Sequence, residues 1–146
     1  MSDSRRNAQL LIEKKWNIEF FWVSGCIVTE ELVDSVKKEN KKTYTLLSSK
    51  YGADWETKFT DDVETEYQIE AYIDSLVKEQ PYIKSKEFAN SYPGSPFPMY
   101  PIDKKGNYIV NVSTYDENWK EQKLYILRAN FKTNKITVKT DFTSKQ

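Results

Sequence analysis

Apolar residues in the first part of the chain recur mostly at the three- and four-residue spacing of amphipathic helices. This spacing predicts a helix over about residues 5–16, a second over about residues 30–50 with Thr29 as its N-cap, and a third that ends at Pro81. The third helix carries an apolar stripe at i, i+4 spacing, made of Trp55, Phe59, Val63 and Tyr67. Further along, the apolar stripe moves to a rotated face, so we expect a break or bend near residues 66–69.

Between the first two helices, the residues are apolar on both faces of an extended chain. One face would hold Ile18, Phe20 and Trp22, and the other Phe21 and Val23. A strand covered on both sides has this pattern, so we predict a buried strand within residues 18–28, with a bend at Ser24 and Gly25. We expect it to join the C-terminal sheet, at its centre or beside it.

All five prolines lie in the stretch from Pro81 to Pro101. Proline lacks the backbone N–H that helix interiors and central strands require. We therefore predict a proline-rich connection over residues 91–106, partly in polyproline II conformation, between the helical half and the sheet. A short helix over about residues 85–90 can precede this connection.

Apolar and polar residues alternate with a period of two near the C-terminus. This alternation predicts a β-meander over residues 107–142, with turns near residues 116–121 and 132–135. The whole pattern predicts an α+β fold, in which N-terminal helices pack on one face of an antiparallel sheet of about four strands. A chain of 146 residues suits a single domain, with the helical half over about residues 1–90.

The side chains available for chemistry restrict the function. The chain has no histidine and one cysteine, Cys26. These counts exclude Ser-His-Asp triads, Cys-His dyads, histidine metal ligands, an intramolecular disulfide and a cysteine zinc cluster. We therefore predict that the protein is not an enzyme and binds no cofactor or metal. We interpret Cys26 as a small buried apolar residue.

Charge and hydropathy bear on partners and location. The chain has 22 Lys and Arg against 22 Asp and Glu, so its formal net charge is zero. Nucleic-acid binders usually carry a basic excess, and we expect no nucleic-acid partner. The longest apolar run, Phe20–Val23, is far too short to cross a membrane. We expect a soluble, cytoplasmic protein, or an exported or membrane-anchored one if a leader has been removed. The sequence leaves the oligomeric state open.

Two stretches are candidates for a binding surface. Residues 54–79 contain nine acidic residues and two lysines, and Asp62, Glu66 and Glu70 lie on one helical face. Such a face can be a solvated surface, a site for a basic partner, or a set of metal-binding or hydrolytic carboxylates. The second stretch places large side chains among prolines, at Tyr92, Phe97, Met99 and Tyr100. These side chains can cover the core or anchor a partner.

A resemblance to a known family covers about residues 10–65. It rests on I-E-K-K-W-N-I at 12–18, G-C-I-V at 25–28 and L-L-x-x-K-Y-G-x-D-W-x-x-K-F at 46–59. These segments resemble the FEKKY-domain family of small uncharacterised bacterial proteins, with Ile12 and Trp16 in place of the Phe and Tyr of the motif. The resemblance implies a domain of that family and carries no functional residue.

These observations favour a non-enzymatic module that acts by binding another protein, as an accessory or inhibitor-type partner. Its expected surface combines the proline-aromatic residues with the acidic face of the third helix. Two alternatives stay open, a carboxylate-based or metal-dependent hydrolase and a carrier of a small apolar ligand. The hydrolase requires a concave pocket with two convergent carboxylates, and the carrier requires an interior cavity.

Overall fold

A computed structural model describes residues 3–21, 23, 28–85 and 97–145 of the chain. Its helices are α1 (Asp3–Trp16), α2 (Glu30–Tyr51), α3 (Trp55–Lys78) and the short α4 (Pro81–Lys84). Its strands are β1 (Met99–Pro101), β2 (Asn107–Tyr115), β3 (Glu121–Asn130) and β4 (Lys135–Asp141), followed by a 3₁₀ turn at Thr143–Lys145. The strands form one antiparallel sheet in the order β1-β2-β3-β4, C-terminal to the helices. The predicted α+β fold with its C-terminal β-meander is confirmed.

Helix α3 connects the helical half to the sheet, because its two halves pack against different partners. The first half, which begins with Trp55, packs on Ile12 of α1. The second half, which includes Ile73, packs on the sheet. The predicted rotation of the apolar face is therefore real. The expected break or bend near residues 66–69 is not a break, because the helix is continuous over its 24 residues. The alternative of a bend stays a prediction.

The sheet has a core face and an opposite face. Alternate residues of its two central strands are buried in the core with α3, namely Tyr108, Val110, Val112, Tyr125, Leu127 and Ala129. The residues between them point to the opposite face, where Arg128 of β3 pairs with Thr137 of β4. The prediction that the helices pack on one face of the sheet holds for α3 and α4, whereas α1 and α2 pack mainly on the first half of α3. The opposite face carries Asn111 and Arg128 together with Ile109 and Ile126.

The strand predicted within residues 18–28 is wrong for the part that the structure describes. Helix α1 ends in a left-handed turn, in which Asn17 has a φ of 52° and the amide of Ile18 donates to the carbonyl of Glu13 at 2.9 Å. The described residues that follow, up to the start of α2, carry no strand structure. The edge of β2 that such a strand could take is occupied by β1.

Strand β1 lies inside the predicted proline-rich connection, so the prediction of a loop throughout residues 91–106 is wrong at Met99–Pro101. Met99 pairs with Val110 of β2, and Pro101 pairs with Tyr108. Proline is tolerated here because β1 lies at the edge of the sheet, where one side of the strand needs no ladder hydrogen bond. Met99 is 3% exposed and belongs to the core.

Some predictions fall on residues outside the described part of the chain. The predicted bend at residues 24–25 and Cys26 lie there, as does Tyr92. The short helix predicted over about residues 85–90 also lies there, apart from Ser85. The structure does not test them, and they stay predictions.

Helix α2 begins where the sequence predicts. The amide of Leu32 donates to Oγ1 of Thr29 at 3.3 Å, which confirms Thr29 as the N-cap. None of the 22 residues of α2, all of which the structure describes, is buried. Its C-terminal end is tied to α1, because the hydroxyl of Tyr51 donates to the backbone carbonyl of Trp16. Among the described helices, none combines the length and apolar character needed to cross a membrane.

Candidate functional site

The predicted acidic face of α3 exists, but it faces α1 and the sheet. Asp62, at its N-terminal end, accepts hydrogen bonds at Oδ2 from Nζ of Lys15 and Nε1 of Trp16, each at 2.9 Å. Burial acts to raise the pKa of Asp62, but these two hydrogen bonds outweigh it and lower the pKa. Asp62 is therefore an anion that joins α3 to the end of α1.

Glu66 and Glu70 lie at the junction of α1, α3 and the sheet. The hydroxyl of Tyr108 donates to Oε1 of Glu66 at 2.8 Å, and Nδ2 of Asn7 donates to Oε1 of Glu70 at 2.8 Å. Burial, reinforced by the neighbouring Glu66 carboxylate, raises the pKa of Glu70 to about 7, and the hydrogen bond from Asn7 opposes this rise. Glu70 is only 2% exposed, so the first of the three interpretations of this face, a solvated surface, does not hold at this residue.

The proline-aromatic residues are divided between core and surface. Met99 is buried, while Tyr100 beside it on β1 is 45% exposed. Phe97 is half-buried, and its backbone amide donates to Oδ1 of Asp74 on α3 at 3.0 Å. Nδ2 of Asn7 also lies 3.5 Å from the carbonyl oxygen of Met99. One residue of each predicted surface, Glu70 and Met99, therefore lies at Asn7, and both of these residues are buried.

The carboxylates of α3 bear on the hydrolase alternative. A hydrolase would need two acidic side chains that converge on a space open to substrate. Glu66 and Glu70 instead accept internal hydrogen bonds from Tyr108 and Asn7. Within the described ranges, no group of three or more acidic residues is arranged to hold a metal ion.

A pocket of about 280 Å³ lies between α1 and α3, and we call it the α1–α3 pocket. Its apolar part is formed by Trp55, Phe59, Val63 and Phe20, and its polar part by Arg5, Gln9, Glu56 and Thr60. The ring of Phe20 lies 5.3 Å from that of Phe59, so the residues after α1 contribute directly to this pocket. The arrangement suits an apolar group with a polar or charged end.

Four large apolar side chains that follow α1 are exposed, and we call them the exposed apolar segment. Phe20, Phe21, Val23 and Val28 are 44%, 74%, 57% and 57% exposed, respectively. The sequence pattern assigned these residues to a buried strand and so missed them as a surface. The available signal was Asn17, since asparagine tolerates the left-handed turn that ends α1 and redirects the chain.

Comparison of the chain with protein-family models, curated proteins and solved structures gave no match. The resemblance of about residues 10–65 to FEKKY-domain proteins therefore stays a prediction. Any function must be inferred from the geometry of this chain itself.

Proposed function

We propose that this protein is a non-catalytic module that binds another protein through the exposed apolar segment and the α1–α3 pocket. The observation that carries the proposal is the exposure of Phe20, Phe21, Val23 and Val28 within nine residues of sequence. Fully burying a side chain of this size is worth about 1.5–3 kcal/mol. Exposed large apolar groups close together in a chain are typical of interaction sites, while single ones are common on any surface.

The α1–α3 pocket supports the proposal because it offers a place for an anchoring side chain. Binding energy in interfaces is concentrated on a few large residues that fill pockets on the partner. Here Phe20 borders the pocket, and Trp55 and Phe59 provide its buried apolar surface. Arg5 and Glu56, which also line it, provide charges that can orient a partner.

Helix α2 follows the exposed apolar segment in the chain and adds support to the proposal. It starts two residues after Val28 and has no buried residue. Leu46 on α2 is exposed as well. An unburied amphipathic helix gains stability when its apolar side chains are covered. A cytoplasmic location remains part of this proposal, because a lone cysteine suits a reducing compartment.

The experiment compares proteins retained from an extract of the source organism by immobilised wild type and by two variants. Phe21→Asp places a charge in the exposed apolar segment. Trp119→Asp places the same charge at an exposed aromatic residue in the turn between β2 and β3. We expect a protein that is retained by wild type and Trp119→Asp and lost by Phe21→Asp. Equal retention by all three forms would contradict the proposal.

A further inference from the structure

Polar and basic side chains surround a concavity of about 220 Å³ on the sheet face opposite the helices. The residues that matter for its chemistry are Asn107, Arg128, Lys135, Thr137 and Lys139. Strands β3 and β4 bring them together, because Arg128 pairs with Thr137, and Lys135 and Lys139 lie two residues to either side of Thr137. We call this concavity the basic pocket.

The side chains that line the basic pocket carry positive charge only, while Asp103 outside the lining forms a salt bridge with Arg128 at 3.8 Å. The lining contains three cationic side chains and no carboxylate. Among the described residues, neither Lys135 nor Lys139 has an acidic side chain within 4.0 Å. Lys132 lies at the same end of the sheet, with its Nζ 3.4 Å from the carbonyl oxygen of Lys104. The chain as a whole is neutral, so this concentration of positive charge is local.

Arg128 is held in position by a partly buried polar network. Its Nε donates to Oδ1 of Asn107 at 3.2 Å, and Asn107 is buried. Nδ2 of Asn130 donates to the same oxygen at 3.0 Å, and Nδ2 of Asn107 donates to Asp103 at 2.7 Å. Asp103 reaches the guanidinium of Arg128 only at 3.8 Å. A guanidinium fixed in this way loses little conformational entropy when it binds an anion.

We infer that the basic pocket binds the phosphate group of a small anionic ligand. Arg128, Lys135 and Lys139 supply charge-assisted donors, and Thr137 adds a hydroxyl. The volume suits one phosphate with a short organic substituent. The lining has no aromatic side chain, whereas surfaces that bind single-stranded nucleic acid stack bases on aromatic rings. The inference does not depend on the proposed protein partner.

The test is an NMR titration of the full chain with inorganic phosphate, at an ionic strength kept constant with sodium chloride. We expect saturable shifts of the backbone amides of Arg128, Thr137 and Lys139. The double variant Lys135→Gln/Lys139→Gln removes two cations that are exposed, so the fold is retained. We expect it to weaken binding at least about tenfold, since a hydrogen bond to a charged group is worth about one order of magnitude in affinity.

The matched control is Lys123→Gln, which removes a cation from β3 outside the basic pocket. Unchanged affinity in this control supports a specific site. Equal weakening by both variants, or the absence of saturable shifts, would overturn the inference. A parallel titration with ribose 5-phosphate tells whether an organic substituent adds affinity to the phosphate. A single-stranded oligothymidylate could also bind without being displaced by inorganic phosphate. That result would overturn the inference in favour of an extended nucleic-acid surface.

Discussion

The side-chain amide of Asn7 on α1 donates to Oε1 of Glu70 on α3 at 2.8 Å, at the point where the helices meet the sheet. The same amide lies 3.5 Å from the carbonyl oxygen of Met99 on β1. One polar side chain of α1 thus contacts both α3 and the sheet. It also supplies a hydrogen bond to a carboxyl group that is almost fully buried.

The stability of the protein should fall as the pH rises from about 4.5 to about 7. Burial, with the Glu66 carboxylate, raises the pKa of Glu70 in the folded state to about 7, above the ordinary value of 4.5. In this window the folded state binds more protons than the unfolded state, so the contribution of Glu70 is fully present below pH 4.5 and is lost as the pH passes 7. The change is on the order of 2–3 kcal/mol and is measured by urea unfolding at several pH values.

Glu70→Gln is the control for this pH dependence. It keeps an oxygen that can accept the hydrogen bond from Asn7 and removes the titration. We expect the variant to be more stable than wild type at pH 8 and to have a flatter profile between pH 4.5 and 7. The chain has no histidine, so few other groups titrate near pH 7. An equally steep profile in Glu70→Gln would assign the effect to another group.

Tyr108→Phe should destabilise the protein by about 1.5–3 kcal/mol, because it removes the hydroxyl that donates to the Glu66 carboxylate at 2.8 Å. Tyr72→Phe is the matched control, because the exposed Tyr72 also links α3 to the sheet. Its hydroxyl donates to Oδ1 of Asn134, in the turn between β3 and β4, at 2.9 Å. We expect the control to change the free energy of unfolding by less than about 0.5 kcal/mol. Chemical denaturation measures both. Similar losses in the two variants would mean that the hydrogen bond to Glu66 contributes no more to stability than the exposed one to Asn134.

Leu127→Ala should cost about 2–5 kcal/mol, because Leu127 is fully buried between the sheet and α3. Phe21→Ala should change the free energy of unfolding by less than about 0.5 kcal/mol, because Phe21 is largely exposed. Thermal or urea unfolding of the two variants side by side gives the comparison. A large loss of stability in Phe21→Ala would contradict the exposure of Phe21 and support the buried strand predicted for residues 18–28.

Gly106→Ala should destabilise the turn between β1 and β2 by about 1–2 kcal/mol. Gly106 has a φ of 87°, and an added Cβ would lie 3.0 Å from Cε1 of Phe131 and from Cγ of Lys132. Lys105→Ala, in the same turn and without a positive φ, is the control and should have little effect. Differential scanning calorimetry would show the difference as a shift in Tm. An unchanged Tm in Gly106→Ala would mean that the turn relaxes without strain.

The sequence predicted those elements whose signals are local. The N-cap at Thr29, the stripe that begins at Trp55 and the period-two alternation of the meander each depend on neighbours along the chain. The rotation of the apolar face of α3 was also visible. Whether the helix bends there depends on which elements cover the two faces, and that information is not local.

The errors share one physical origin, which is that a pattern of residues along the chain does not show which distant residues pack against it. Residues 18–23 have the pattern of a covered strand, but α1 turns at Asn17 and β1 takes the edge of β2. The acidic face of α3 was misjudged for the same reason. The donors to Glu70 and Glu66 are Asn7 and Tyr108, which lie 63 and 42 residues away in sequence.

The central claim is that the exposed apolar segment contacts a protein partner. The most direct measurement is photo-crosslinking in an extract of the source organism, with p-benzoylphenylalanine in place of Phe21 and, as the control, in place of the similarly exposed Trp119. We predict a discrete adduct with one other protein from position 21 and none from position 119. No adduct from position 21, or the same adducts from both positions, would contradict the claim.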